Sequence, residues 1–261
     1  MNIDIFKKRR RQATIVAAIL IALTLFSMFI TEYDFAKSFT SIPKAIIWMF
    51  RNFYPDAKSM TRLPSILLKL NETVFLSIAS TTTAGILALF FSLFGSKTTK
   101  VNNILSTLSR LTASAFRNIP DAVWAMIMLF SFGQNALTGY FALFFVTFGV
   151  LTRAFIETID EVSYEAVEAL QATGASYLEI VFQAVIPSGI PQMISWILFM
   201  IETNIRSSTL IGILTGTGIG YTFNMYYKGL NYNAASLVVI AIVLMVFLIE
   251  FVSNYVRRVV L

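Results

Sequence analysis

The chain has 261 residues, of which 57% are hydrophobic and only 13% charged, with a net charge of +6 and a mean hydropathy of +0.74. A soluble domain carries about a quarter charged residues, so the bilayer is the expected solvent. Cysteine and histidine are both absent, which excludes disulfides, thiolate nucleophiles, imidazole acid–base chemistry and zinc sites of the usual kind.

Lys7, Lys8, Arg9, Arg10 and Arg11 precede a first apolar run, Ala13 to Ile30. Such a run is long enough to span a membrane, and its basic flank reads as a cytoplasmic topology signal. No A-x-A-like site follows it, so it is read as an uncleaved span rather than a signal peptide. The connection from Thr31 to Asn71 contains Ile46-Ile47-Trp48-Met49-Phe50, flanked by Lys44 and Arg51. That stretch is too short to span and fits a helix lying along the membrane interface. The second span is predicted from Thr73 to Leu93.

The third, Ile104 to Phe132, is interrupted by Arg117-Asn118-Ile119-Pro120-Asp121. Proline removes a backbone donor, and such a break is tolerated in a bilayer only where protein or water covers it. Arg117 and Asp121 are expected to pair at i, i+4 across it. The remaining spans are predicted at Tyr140 to Ile156, Ile190 to Leu214 and Ala234 to Val252. Six spans put both termini on one side, together with Lys97, Lys100, Arg257 and Arg258, and that side is expected to be cytoplasmic. The spread of Lys37, Lys44, Arg51, Lys58, Arg62 and Lys69 over the first outside loop runs against this assignment. The other cations are scattered and do not interleave with aromatics, so no nucleic acid partner is expected, while membrane lipid is.

The hydrophilic stretch from Glu157 to Pro187 is the most informative. Glu161, Glu165 and Glu168 share one helical face by spacing, and the face they form either meets something cationic or is solvated. Gly174 is placed to end a helix. Ser176 and Glu179 form an S-x-x-E capping box that restarts one. Leu178, Val181, Phe182 and Val185 give the second helix an apolar side, and Pro187 is expected to stop its regular continuation. Two short helices bent at a glycine can serve as an interfacial connection or as a surface for a partner.

Glu168-Ala169-Leu170, then Gly174, then Ala184-Val185-Ile186-Pro187 resembles the coupling-loop motif of binding-protein-dependent ABC permeases, in which Glu-Ala-Ala, Gly and Ile-x-Leu-Pro stand at the same spacing. Leu170, Ala184 and Ile186 depart from it while keeping small or apolar character. The stretch Glu202-Thr203-Asn204-Ile205-Arg206-Ser207-Ser208-Thr209-Leu210-Ile211-Gly212, with Gly216-Thr217-Gly218-Ile219-Gly220, is similar to the phosphonate permeases of that superfamily, as is Arg117 to Asp121. The resemblance covers about Thr73 to Val252.

It implies an all-α membrane protein with six transmembrane helices and the type I ABC importer permease (MetI-like) fold. The chain would be one permease domain, with residues 1–72 an N-terminal span plus interfacial segment and 73–256 a core carrying the loop 157–187. Glu165, Glu168, Ala169, Gly174 and Pro187 would couple it to two copies of a cytoplasmic ATP-binding subunit. An extracytoplasmic phosphonate-binding protein and a second permease copy, identical or a sister chain, would complete the complex in a bacterial cell membrane. No cofactor and no catalysis by this chain are implied.

For the translocation pathway the candidates are Asn204, Arg206, Ser207, Ser208 and Arg117. Arg206 has two open readings, a pathway cation that neutralises an oxyanion or an ion pair with Glu202 four residues earlier. Gly212, Gly216 and Gly220 at four-residue spacing favour close packing or a re-entrant turn over phosphate cradling. Other possible roles are a permease for a related oxyanion, such as phosphite or a phosphate ester, and an ion-coupled transporter using Glu202 and Glu250.

Overall fold

Among the described residues of the computed structural model, 2–162 and 164–260, all regular structure is helical. The chain divides into two units, Met1–Phe53 and Tyr54–Leu261.

The first unit holds α1 (Asn2–Ile30) and α2 (Phe35–Asn52). Within Phe6–Ile30, α1 carries an apolar run long enough to cross a membrane. Asp34 caps α2 by accepting the Lys37 backbone N–H at 2.8 Å. Phe35, Phe39, Ile42, Ile46 and Met49 recur at alternating steps of four and three on one side of α2, while Lys37, Lys44 and Arg51 recur every seven residues on the other. This is the pattern of an interface-lying helix.

The second unit begins with the short α3 (Ala57–Met60) and continues into α4 (Leu63–Gly95). The second span therefore starts ten residues before the expected Thr73, because Pro64 fits the first turn, where no intrahelical donor is needed. One side of α4 is made of small buried residues, Ser77, Ser80, Thr81, Ala84, Gly85, Ala88, Ser92 and Gly95. Small side chains let helix backbones approach closely. Against this stripe packs α7 (Ala136–Val162), which contributes Phe148, Leu151, Phe155 and Ile159 to the main core.

The third span is two helices, α5 (Asn103–Asn118) and α6 (Asp121–Phe132), broken at Ile119 and Pro120, whose backbones are extended with ψ of 120° and 148°. Proline cannot supply the N–H that the Phe116 carbonyl would otherwise accept. The Trp124 indole N–H donates to that carbonyl instead, at 3.4 Å. The indole also stacks on Phe116 with ring centroids 5.3 Å apart. The carbonyl that the proline leaves without a partner is thus satisfied by protein, as a bilayer requires, while Arg117, Asn118 and Pro120 stay exposed on the single chain.

The other elements are α8 (Tyr164–Ala172), α9 (Tyr177–Ile180), a five-residue π-helical turn at Val181–Val185, α10 (Ile186–Thr215), α11 (Gly218–Lys228) and α12 (Tyr232–Val260). The Gly-rich segment after α10 is a re-entrant turn followed by a helix that its sequence did not signal. At Gly216 the chain turns with φ +72°, and α11 folds back along α10. A Cβ on Gly212 would lie 2.5 Å from the Thr217 carbonyl, and one on Gly220 would overlap the Thr209 carbonyl oxygen. The glycine spacing is therefore a packing device. Among the described residues, five helices are long and apolar enough to cross a membrane, and the broken α5–α6 pair occupies the place of the expected third span.

Candidate coupling surface and translocation residues

In α8 the apolar side chains turn inward. Val167 is 2% exposed and joins Ile180, Ala184 and Val185 in the core, with Ala166 and Leu170 packed beside them. The opposite side presents Glu165, Glu168, Ala169 and Ala172 to the exterior, and Glu161, in the last turn of α7, is exposed as well. Gly174 closes the helix with φ +81°, a backbone shape that favours glycine. The restart at Ser176 is as expected, and the Glu179 carboxylate accepts both the Ser176 N–H and its hydroxyl at 2.7 Å. Acidic and small residues thus form an open surface on a helix fixed from behind by its own apolar face.

The expectation for Pro187 needs correction. It does not stop the second helix, which runs without interruption from Tyr177 to Thr215. The expected second short helix is the start of the fifth long one. Within an ordinary α-helix the Pro187 ring would clash with a carbonyl one turn back. Here the preceding turn is widened, and the Ile186 N–H reaches the Val181 carbonyl five residues back. That wider turn lets the chain carry a proline and remain helical. Pro187 is exposed.

Asp160, in the same acidic stretch, turns inward. Its Oδ1 accepts the Ser96 hydroxyl at 2.5 Å, the Lys97 N–H at 2.7 Å, and the Thr98 N–H and hydroxyl at 3.2 Å. Its Oδ2 pairs with Arg110 Nη2 at 3.3 Å, and Arg110 Nε donates to the Gly95 carbonyl at 2.7 Å. This knot joins the end of α4, the following loop, α5 and the end of α7. It lies four residues before α8 begins, so the exposed face of α8 grows from an anchored root.

The pathway candidates fall into two groups. Asn204 is 3% exposed, and its amide donates to the Thr81 hydroxyl at 2.8 Å and the Thr147 hydroxyl at 2.7 Å, tying α10 to α4 and α7. Ser208 is also buried, donating to the Ile205 carbonyl at 2.8 Å. It borders a cavity with Glu72, Thr73, Thr217 and Gly218 whose volume, about 10 Å³, is that of a single water. Arg206 is exposed, Ser207 half-buried, and Arg117 exposed at the broken span.

Arg117 makes no ion pair among the described residues. The expected Arg117–Asp121 pair is absent because the extended residues at 119 and 120 destroy the helical register that i, i+4 pairing needs. Asp121 instead accepts the Ala122 N–H at 2.8 Å.

The Glu202–Arg206 pair does form, with Oε1 2.8 Å from Arg206 Nη1. A second cation, missed from sequence, approaches the same carboxylate: Arg257 Nη2 of α12 lies 3.9 Å from Glu202 Oε2.

Residues 83–260 match the model of a family described as binding-protein-dependent transport system inner membrane component. A Stutzerimonas stutzeri protein, HtxC, described as a candidate phosphite transport system permease, is 28% identical over 258 residues, covering 99% of this chain and 90% of its own length. A cryptic phosphonate transport system permease candidate of Escherichia coli K12, PhnE2, is 33% identical over 117 residues, 45% of this chain and 96% of its own length. Among solved structures, an amino acid ABC transporter chain superposes with a TM-score of 0.66 at 15% identity, covering 78% of this chain and 98% of that one. The family match alone spans more than half the sequence, so the chain belongs to the binding-protein-dependent transport system inner membrane components, as a multi-pass permease subunit of an ABC importer whose ATPase is a separate subunit.

Proposed function

We propose that this permease carries phosphonate-type oxyanions, including phosphite, into a bacterial cell, working as a pair of permease copies. Two copies of an ATP-binding subunit would dock on the cytoplasmic side, and an extracytoplasmic binding protein would deliver the substrate. The observation that carries the coupling role is the one-sided build of α8, with Val167 and Leu170 anchored inward and Glu165, Glu168 and Ala169 open. A short helix set in a partner's groove transmits movement well. Gly174 and Pro187 frame that element, and both termini would be cytoplasmic.

The oxyanion reading rests on the phosphite and phosphonate descriptions of the relatives together with Arg206. An arginine at the centre of a membrane helix costs roughly 2.5–3.5 kcal/mol on insertion scales, and Arg206 is 48% exposed on the single protomer. A polar exposed group at that depth needs protein or water over it, which a pathway between two copies supplies. Arg206, Ser207 and Arg117 would face that pathway, with Asn204 and Ser208 bracing the helix behind them. The acidic Glu202 belongs to an ion pair, which speaks against an ion-coupled carrier built on it.

The test is reconstitution with the cognate ATPase and binding protein. A cysteine in place of the exposed Ala172 is expected to crosslink to the ATPase, and vesicles are expected to take up phosphite or methylphosphonate when ATP is supplied. An assembled complex with no crosslink at 172 would overturn the docking face. Transport of neither anion would overturn the substrate assignment.

A further inference from the structure

Three charged side chains from two helices meet beside the proposed pathway. Glu202 is 12% exposed, Arg206 48% and Arg257 26%. Glu202 holds Arg206 at 2.8 Å, while Arg257 stands off at 3.9 Å. The Nε and Nη2 atoms of Arg257 are buried and make no hydrogen bond, and one turn earlier the Ser253 hydroxyl is likewise buried without a partner. Nε and Nη2 form one edge of the guanidinium, the two-pronged fork that receives a carboxylate through parallel hydrogen bonds. An empty buried fork is costly, and the carboxylate that would fill it is already close by.

We propose that Glu202 is a two-position partner, passed from Arg206 to Arg257 when an oxyanion engages Arg206. This rests on the reading of Arg206 as a pathway cation. A permanent Glu202–Arg206 pair would leave little charge for a passing anion, while simply breaking it would strand a buried carboxylate, which is strongly unfavourable. Two arginines sharing one glutamate remove both difficulties. The cluster carries one net positive charge throughout. When Glu202 swings the short way to Arg257, that charge moves wholly onto Arg206, which is then free to take the anion. When the anion leaves, Glu202 returns and Arg206 is neutralised again, so release is not opposed by a bare cation. Glu202 and Arg257 are thus positioning residues that set the availability of Arg206.

Two measurements test this. In a structure of the Arg206→Met complex, the Glu202 carboxylate is expected on the Arg257 fork at about 2.8 Å; a carboxylate still standing off would overturn the proposal. This readout needs no transported substrate, so it fails or succeeds independently of the substrate assignment. In vesicles assayed with phosphite and methylphosphonate, Arg257→Met is expected to lower the maximal uptake rate at least about tenfold, because Arg206 stays locked. Adding Glu202→Gln to Arg257→Met removes the lock and is expected to restore uptake to within about threefold of wild type. Wild-type uptake by Arg257→Met, or no rescue in an assembled double variant, would show that the triad is only a static brace. If Arg257→Met does not assemble, Arg257→Lys replaces it: it keeps the charge without the fork and should show the same slowing and the same rescue.

Discussion

Replacing Asp160 with alanine removes the acceptor on which the end of α4, its following loop and α5 converge. The two shortest bonds, from the Ser96 hydroxyl at 2.5 Å and the Lys97 N–H at 2.7 Å, dominate the loss. Hydrogen bonds to a charged group contribute about 1.5–3 kcal/mol each. The Asp160 side chain is 25% exposed, so water offsets part of the loss, and the expected destabilisation is about 2–4 kcal/mol. For a chain of this size each kcal/mol shifts the melting temperature by ~2–4 °C, giving a fall of about 4–16 °C. Thermal unfolding of the purified protein in mild detergent, followed by tryptophan fluorescence, measures it. Asp160→Asn keeps an acceptor oxygen but loses the Arg110 ion pair, and should fall between the two. An alanine variant melting within about 1 °C of wild type, or an asparagine variant as unstable as alanine, would refute the view that this carboxylate organises the junction of α4, α5 and α7.

Asn204→Ala breaks two interhelical hydrogen bonds, each worth about 0.6 kcal/mol and at most about 1.7 in a membrane protein; denaturant titration should show a loss of about 1–3 kcal/mol. Gly220→Ala places a methyl on the Thr209 carbonyl, so α11 must leave α10, and the variant is expected to lose its monodisperse peak in size-exclusion chromatography. Gly139→Ala is the control, since its added methyl would meet nothing nearer than 3.6 Å.

What the sequence made legible was local chemistry. The helix end at Gly174, the restart at Ser176 with Glu179, and the break at Pro120 each depend on residues within one or two turns, and each appears in the structure. The errors came where a local rule was applied across a boundary it could not see. Arg117–Asp121 presumed an unbroken helix, and Pro187 as a stop presumed that the turn before it was an ordinary one. Asp160–Arg110 and Glu202–Arg257 were out of reach for another reason, because their partners lie 50 and 55 residues away along the chain. Only packing brings them together, and the small-residue stripe on α4 that permits part of it carries no record of which charges it will align.

The helix running from Tyr177 to Thr215 has 39 residues, which at 1.5 Å per residue is about 58 Å of rod. A bilayer's hydrocarbon layer is about 30 Å thick, so roughly half of this rod extends past it. Its Tyr177 end is the one joined to α8. Such an element is a lever with its fulcrum inside the membrane. Tilting it by ~10° swings its ~28 Å arm through about 5 Å, the rise of one helical turn, and the core packing of Ile180, Ala184 and Val185 takes the end of α7 with it. A partner that grips α8 therefore needs only a modest stroke to reorient the segment carrying Arg206, and the stiffness of that one helix sets how faithfully the stroke arrives.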